Sequence, residues 1–414
     1  MHTVKVLFSK TPQKDKKTLV FHGISPFIEW FCNNDMPNIN INSDLTNITK
    51  SEIQNLCQFL TFSKQIKMQI EQANKYYNIK YLKENSLELQ EALNELIRVN
   101  SGGKSLRASL IALGYLSGKA QDQSYLPLAV AFELFQTSIL IHDDIIDNAS
   151  MRRGQSTIPE SYNQKYHNPK TTNQNFLMKK HNFANSMGLC IGDLGFYIAN
   201  EIITTAYQDN PHLAQILSYY NQIIIKTCKG EMLDIILPFK EEYFMKDPNL
   251  EVKIFQIYQL KTAWYSVIGP FCLGLILNGE KEENIKVMEN ILLDLGVAFQ
   301  IKDDLLGIYG NEENIGKSTN SDIEEYKQTI LYAYTMTTEY KNELLKYYGT
   351  EMNSQKNEKV KEIFINSGAK QYAETKMSEL FKNSQQKLSQ IQFISDKYKS
   401  LLAGFITYLK NREK

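Results

Sequence analysis

Leu134-Phe135-Gln136-Thr137-Ser138-Ile139-Leu140-Ile141-His142-Asp143-Asp144-Ile145-Ile146-Asp147-Asn148-Ala149-Ser150-Met151-Arg152-Arg153-Gly154 is an apolar run that ends in three carboxylates, with two arginines close behind. Read as a helix, the run puts Asp143 and Asp147 at i and i+4, one turn apart on one face. Like charges at that spacing repel, and a core helix has no reason to carry them unless a cation lies between them. Oxygen ligands point to a hard divalent ion, Mg²⁺. The arginines just beyond suggest a phosphate that arrives with the ion.

Around this stretch the composition is that of a soluble globular protein. The chain has 414 residues, 43% hydrophobic and 22% charged, enough to bury one large core or two smaller ones. Its 46 basic residues balance 46 acidic ones, which argues against a nucleic-acid partner and leaves phosphate binding to local clustering. The five cysteines, Cys32, Cys57, Cys190, Cys228 and Cys272, are scattered without a CxxC pair. They read as small core residues of a reducing compartment, not as staples or metal ligands. No stretch reaches the roughly 18 apolar residues of a membrane span. Trp264 to Leu277 comes nearest, contains Gly269-Pro270 and is expected to be a buried helix. The first ten residues lack the apolar region of a secretory signal. Cytoplasm is the expected location, although the lysine-rich start leaves an organelle address open.

Residues 1–45 read as an irregular extension of unknown role, with a plausible helix start at Ser25-Pro26 and an Asn/Asp-rich loop from Asn33 to Asn47. Thr49 and Glu52 then have the spacing of a capping box, and Ile53, Leu56, Phe59 and Leu60 recur at helical intervals. Helical patterns follow at about 85–98, 104–119, 124–147, 184–208, 211–237, 251–276, 284–308, 321–346, 370–390 and 394–411. Hairpin signals are scarce. The expectation is an all-α fold, with 46–414 as one domain and 155–182 as a long polar loop containing short helical pieces.

Asp143-Asp144-x-x-Asp147 alone is a modest signal, because acidic residues near a helix end are usually just solvated. Context raises it. Asp303-Asp304-Leu305-Leu306-Gly307 ends another apolar helical run 160 residues later. Two acidic helix ends facing each other across a bundle would hold several Mg²⁺ ions and, through them, a diphosphate. Lys104 and Arg107 follow Gly102-Gly103 at the start of a helix, where free N–H groups already favour anions. Lys261-Thr262 lies inside an apolar segment, where an unpaired lysine is costly. Lys317 and Lys327 follow the second carboxylates.

In these pieces the chain resembles the trans-isoprenyl diphosphate synthases of the polyprenyl synthetase family. Gly102-Gly103-Lys104-x-x-Arg107, Gln136, Asp143-Asp144-x-x-Asp147, Arg152-Arg153-Gly154, Gly192-Asp193, Gly230-Glu231, Lys261-Thr262, Phe299-Gln300-x-x-Asp303-Asp304, Gly316-Lys317 and Lys327 occur in the family's order over about residues 85–414. The resemblance implies a helical bundle around a deep central cavity, a homodimer, and condensation of isopentenyl diphosphate with an allylic diphosphate. It implies three Mg²⁺ ions, with Asp143, Asp147 and Asp303 as ligands. Arg152, Lys261 and Lys317 would bind the allylic diphosphate, with Lys327 beside them; Lys104, Arg107, Gln136 and Arg153 would hold isopentenyl diphosphate. Thr262 and Gln300 would line the reaction centre. Two departures stand out: Gly307 replaces the last aspartate of the second motif, and Glu231 stands where many members carry glutamine.

The resemblance also implies that residues before the first motif set product length. Ile139 is one turn below Asp143 and Phe135 one turn further, each turn about 5.4 Å. Ser138 is small where farnesyl enzymes often carry an aromatic, so geranylgeranyl diphosphate is the expected product. Two other readings share the fold: a class I terpene cyclase, and a non-catalytic partner of another synthase. The retained Lys104, Arg107, Gln136 and Arg153 weigh against the first, and the complete first motif against the second.

Overall fold

The computed structural model describes residues 3–8, 17–22, 32, 39–41, 49–84, 86–166, 174–239, 249–310 and 321–412. The described part of the first 45 residues is not irregular: β1 (Thr3–Phe8) pairs antiparallel with β2 (Lys17–His22) and with β3 (Ile39–Ile41), in the order β2-β1-β3. The strand segments are short and far apart in sequence, so no local hairpin signal marks them. β3 falls where a loop was expected, and the helix start at Ser25-Pro26 lies outside the described residues. Cys32 and Cys57 form a disulfide, Cys190 and Cys228 are exposed, and only Cys272 is a buried thiol. The reading of five free core thiols therefore fails, because pairing was decided by proximity that the spacing did not reveal.

Among the described residues from Thr49 onward, all but one two-stranded ribbon and the connections are helical. Thr49 Oγ accepts from the Glu52 N–H at 3.2 Å while the Glu52 carboxylate accepts from the Thr49 N–H at 2.7 Å, the expected capping box. It opens α1 (Lys50–Tyr81), followed by α2 (Leu87–Asn100), α3 (Leu106–Leu116) and α4 (Leu126–Ile146), the apolar run. After the ribbon β4 (Met151–Arg152) and β5 (Gln155–Ser156) come α5 (Ile158–Lys165), α6 (Gln174–Ala206) and α7 (Leu213–Phe239). Then α8 (Leu250–Ile257) runs through a π-helical segment, Tyr258–Ile268, into α9 (Gly269–Leu277). The chain closes with α10 (Glu282–Tyr309), α11 (Ser321–Glu324), α12 (Ile330–Thr335), α13 (Lys341–Leu344), α14 (Ser354–Asn366), α15 (Ala369–Gln390) and α16 (Asp396–Asn411).

Three departures from the expected helices have physical causes. The single helix expected at 321–346 is broken into α11, α12 and α13: Tyr326 adopts a left-handed φ of 59°, and Thr329 starts a new helix by accepting from Tyr332 N–H. The unexpected α14 is opened by Asn353, whose side chain accepts from Lys356 N–H at 3.0 Å. The π segment interrupts the helix expected at 251–276. Pro270 lacks an N–H and its ring crowds the carbonyl four residues back, and the wider turn just before it relieves that clash. Leu250–Leu277 is long and apolar enough to cross a membrane by length and composition, yet most of it is buried inside the bundle.

Glycines set how closely the site-bearing helices approach. Along α6, a Cβ on Gly192 would lie 2.4 Å from His142 Nε2, and one on Gly195 would lie 2.2 Å from Ser138 Oγ. The face of α4 carrying Ser138 and His142 therefore packs on α6. The opposite wall is built the same way: a Cβ on Gly230 of α7 would sit 2.3 Å from the Lys261 N, and one on Gly296 of α10 2.4 Å from the Ala263 Cβ. The π segment is clasped between α7 and α10 at Lys261 to Ala263.

Candidate active site

A cavity of about 370 Å³ opens between α4, α7, the π segment and α10. Its walls include Asp143 and Asp147 from α4, Lys261 and Thr262 from the π segment, and Gln300, Asp303 and Asp304 from α10, with Arg107, Arg152, Lys327 and Ile139. The two aspartate motifs, 160 residues apart in sequence, thus face one space.

Cations hold the carboxylates. The tight turn Arg153-Gly154, with φ of 54° and 74°, folds β4 onto β5 and returns Arg152 over the end of α4. Arg152 donates to Asp143 at 2.6 Å and to Asp144 at 2.5 Å. Lys261 lies 2.7 Å from Asp234, 3.0 Å from Glu231 and 3.8 Å from Asp143. Burial works to strip its proton, but Asp234, Glu231 and Asp143 outweigh it and hold the ammonium above the ordinary lysine range. Lys327 lies 2.7 Å from Glu325 and 3.2 Å from Asp147, and its ammonium is likewise held charged against burial. Arg412, at the end of α16, pairs with Asp303 and stacks on the Phe299 ring at 4.1 Å. Burial, then Arg107, depresses its pKa to about 9.

A second network fixes the floor of the charged region. Tyr258 receives the Ile330 N–H at 2.8 Å and donates to Asp304, whose other oxygen accepts from Gln300 Nε2 at 2.9 Å. That orients the Gln300 amide, and its oxygen accepts from Thr262 Oγ at 2.5 Å. Burial raises the Asp304 pKa to about 7. Two carbonyl or hydroxyl oxygens therefore stand at the cavity wall in fixed orientation, suited to a neighbouring positive charge.

Next to this cavity lies a smaller one, of about 140 Å³, lined by Gly102, Gly103, Thr137, Asp144, Arg152 and Arg153. Gly102 and Gly103 have φ of 96° and 80°, and a Cβ on Gly103 would fall 2.8 Å from Arg153 Nη1. Only glycine lets the guanidinium lie against this loop. Arg107 stacks over Tyr265 at 4.4 Å and donates to Ser266 at 2.7 Å, while its buried Nε finds no partner among the described residues. Arg152 and Arg153, with Arg107 nearby, make this corner cation-rich, with Asp144 and Glu133, which accepts from the Ala108 N–H at 3.0 Å, as its carboxylates.

Not every expected residue reaches these spaces. Gln136 is buried within α4, outside the walls of both cavities. Lys104 is exposed, with its ammonium 5.6 Å from the Tyr408 ring. Lys317 lies outside the described residues. Ser138 is fully buried against Gly195, its hydroxyl donating to the Leu134 carbonyl at 3.1 Å, so it does not open the cavity floor. Phe135 is fully buried in an aromatic cluster with Phe132, Tyr220 and Phe196 at 5.1, 5.4 and 5.7 Å. Of the three expected floor residues only Ile139 lines the cavity. Sequence reasoning missed Asp234, Tyr258, Tyr265, Asp322 and Arg412. Asp234 alone left a signal, three residues after Glu231 on one face of an apolar helix.

A family model described as Polyprenyl synthetase matches residues 88–366. The chain belongs to the polyprenyl synthetase family. It is 30% identical over 239 residues to farnesyl pyrophosphate synthase of Zea mays, covering 55% of this chain and 60% of that relative, so it spans less than two thirds of that protein. It is 28% identical over 266 residues to the short chain isoprenyl diphosphate synthase of Methanocaldococcus jannaschii, covering 63% and 71%. In fold it is similar to geranylgeranyl pyrophosphate synthase from Corynebacterium glutamicum, solved with isoprenyl diphosphate and magnesium. The TM-score is 0.71 at 21% identity, over 89% of this chain and all of the other. The all-α bundle is that of the isoprenyl diphosphate synthases.

Proposed function

We propose that this family member is a prenyltransferase that joins isopentenyl diphosphate head to tail, in trans, to an allylic diphosphate. The observation that carries the proposal is the convergence of Asp143 and Asp147 from one helix and Asp303 from another onto a cavity that also presents Arg152, Lys261 and Lys327.

Mg²⁺ fits this donor set. The three carboxylates offer only oxygen, although among the described residues no three His, Cys, Asp or Glu side chains stand close enough together to hold a metal ion between them. Mg²⁺ takes one or two carboxylates and completes its shell with water and substrate phosphate. Three bound ions would supply positive charge for the departing diphosphate. Asp143, Asp147 and Asp303 would hold them.

The chain's own residues do the remaining work. Arg152 and Lys261 bind the allylic diphosphate, with Lys327 beside them. Arg153 lines the cation-rich corner and Arg107 the adjoining cavity, and these two are assigned to isopentenyl diphosphate; Lys104 and Gln136, outside both cavities, are not. Breaking the allylic C–O bond leaves a positive carbon chain that the oxygens of Thr262 and Gln300 face. Ile139, Leu140 and Phe299 give that end of the cavity apolar walls that exclude water. The allylic carbon bonds the terminal alkene carbon of isopentenyl diphosphate, and the proton then lost from that substrate passes to the departing diphosphate, so no side chain is assigned as the base.

The product proposed is geranylgeranyl diphosphate. Ile139 stands in the cavity wall one turn below Asp143, and Phe135, packed on Tyr220 outside that wall, is proposed as the layer behind it. Two copies are proposed to associate through α6 and α7, which expose Leu189, Leu194 and Tyr197, and Ile225, Met232 and Ile236. The deciding experiment incubates purified protein with Mg²⁺, isopentenyl diphosphate and each allylic primer in turn, then measures product length. Cyclised hydrocarbon with no elongated product would replace the proposal with the cyclase.

A further inference from the structure

Cys32 and Cys57 join the β-stranded extension to the helical bundle. Cys32 lies between β2 and β3, and Cys57 lies two turns into α1. Both are half-buried, and neither is sealed in the core as Cys272 is, so a small thiol can reach the bond. In α1, Cys57 stands between Asn55 and Phe59, and those two residues carry the C-terminal helix. A Cβ on Gly404 of α16 would overlap the Asn55 carbonyl oxygen, so the two backbones touch. The Phe59 ring packs on Phe405 and Tyr408 at 5.2 and 6.1 Å. One turn beyond Tyr408, the chain delivers Arg412 to Asp303 and to the Phe299 ring. The disulfide, the first turns of α1, α16 and a metal-facing aspartate therefore form one line of contacts.

We propose that Cys32–Cys57 is a thiol–disulfide exchange site for a dithiol reductant, and that its reduction withdraws Arg412 from Asp303 and so opens the metal site. A thiolate of the dithiol bonds to one sulfur and expels the other cysteine as a thiolate. The second thiol of the reductant then closes on the mixed disulfide. The cysteine pair gains two electrons and two protons, and the dithiol leaves as a disulfide. With the bond open, the start of α1 is held by packing alone and opens together with the end of α16, because a chain end opens at less cost than a core. Asp303 loses its guanidinium and is left for a divalent ion. The metal half of this inference rests on the metal-dependent reading given above; the exchange site does not.

The test compares the full chain oxidised, the chain reduced with dithiothreitol and freed of it under argon, and Cys32→Ser. Mn²⁺ is titrated with inorganic diphosphate present and followed by electron paramagnetic resonance, so no turnover is needed. It is expected to bind about two- to fivefold more tightly to the reduced chain and to Cys32→Ser, the scale of releasing a partly solvated ion pair. By reciprocity, Mn²⁺ with diphosphate raises the midpoint potential of the cysteine pair by that same factor, about 9–21 mV at 29.6 mV per tenfold. In Arg412→Ala the difference between the oxidised and reduced chains disappears. Amide hydrogen exchange over residues 404–412 quickens on reduction with no metal present, which tests the tie apart from the metal reading. Equal exchange in the two redox states overturns the inference, and so does equal Mn²⁺ affinity or a redox difference that persists in Arg412→Ala. If neither state binds Mn²⁺ with diphosphate while exchange still quickens, the metal reading fails and the exchange site stands.

Discussion

Replacing Lys261 by methionine separates what its ammonium does for the fold from what it does for substrate. The ammonium lies between Asp234 at 2.7 Å, Glu231 at 3.0 Å and Asp143 at 3.8 Å, and the four side chains are only 15% to 21% exposed. Methionine keeps most of the stem and removes the charge, leaving three carboxylates facing one another. Taking one partner from a buried ion pair costs about 3–5 kcal/mol. Arg152 still neutralises Asp143 at 2.6 Å, which favours the lower end, about 3 kcal/mol. Adding Glu231→Gln removes one of the repelling charges and is expected to return about 1–2 kcal/mol of coupling. Urea melts of the metal-free single and double variants measure this cycle. Burial, against the pull of Lys261, raises the Glu231 pKa, and losing the lysine raises it further. A raised carboxylate favours the fold once protonated, so the Lys261→Met defect should shrink as pH falls toward the ordinary glutamate value near 4.3. The wild-type lysine stays charged below its ordinary value of about 10.4, so its contribution stays constant through neutral pH. In steady-state assays both variants lacking Lys261 should show a raised KM for the allylic substrate, with no rescue by Glu231→Gln. A Lys261→Met melt within about 0.5 kcal/mol of wild type would show that the ammonium does not hold these carboxylates.

Gly230→Ala forces a methyl group against the Lys261 backbone, and overpacking of this kind costs about 1–3 kcal/mol; activity should fall further than stability, as thermal melts and kcat together would show. Arg412→Ala frees Asp303, which is 39% exposed, so the concentration of Mg²⁺ giving half-maximal rate should drop by about two- to fivefold, the scale of a partly solvated ion pair. Phe135→Ala opens space a turn below Ile139 and should lengthen the product while costing about 3–5 kcal/mol, read by product chromatography and urea melts; an unchanged length would remove Phe135 from the floor. With Cys32 and Cys57 bonded, thiol titration of the denatured, unreduced chain should find three of the five cysteines, rising to five after reduction.

The sequence by itself determined the helical class and the chemistry of the site. Helical periodicity is local, and Asp143 and Asp147 point to a cation once the second acidic helix end at Asp303 and the basic residues are read with them. Lys261 inside an apolar run declares an anionic partner in the same way, but not which one. The tertiary structure decided what depends on residues meeting across the fold. The π turn that presents Lys261, Thr262 and Tyr265 arises from Pro270 together with the packing of Gly230 and Gly296, and periodicity averages over it. Ser138 has the size of an open floor position, yet its direction was set by Gly195 on α6, which drew it out of the cavity. Arg412 and Asp303 are 109 residues apart, and Asp322 lies against Gly307 only because a separate segment packs beside α10. Local pattern records which groups a helix carries and on which face; which of them share one cavity is settled by long-range packing that no single stretch encodes.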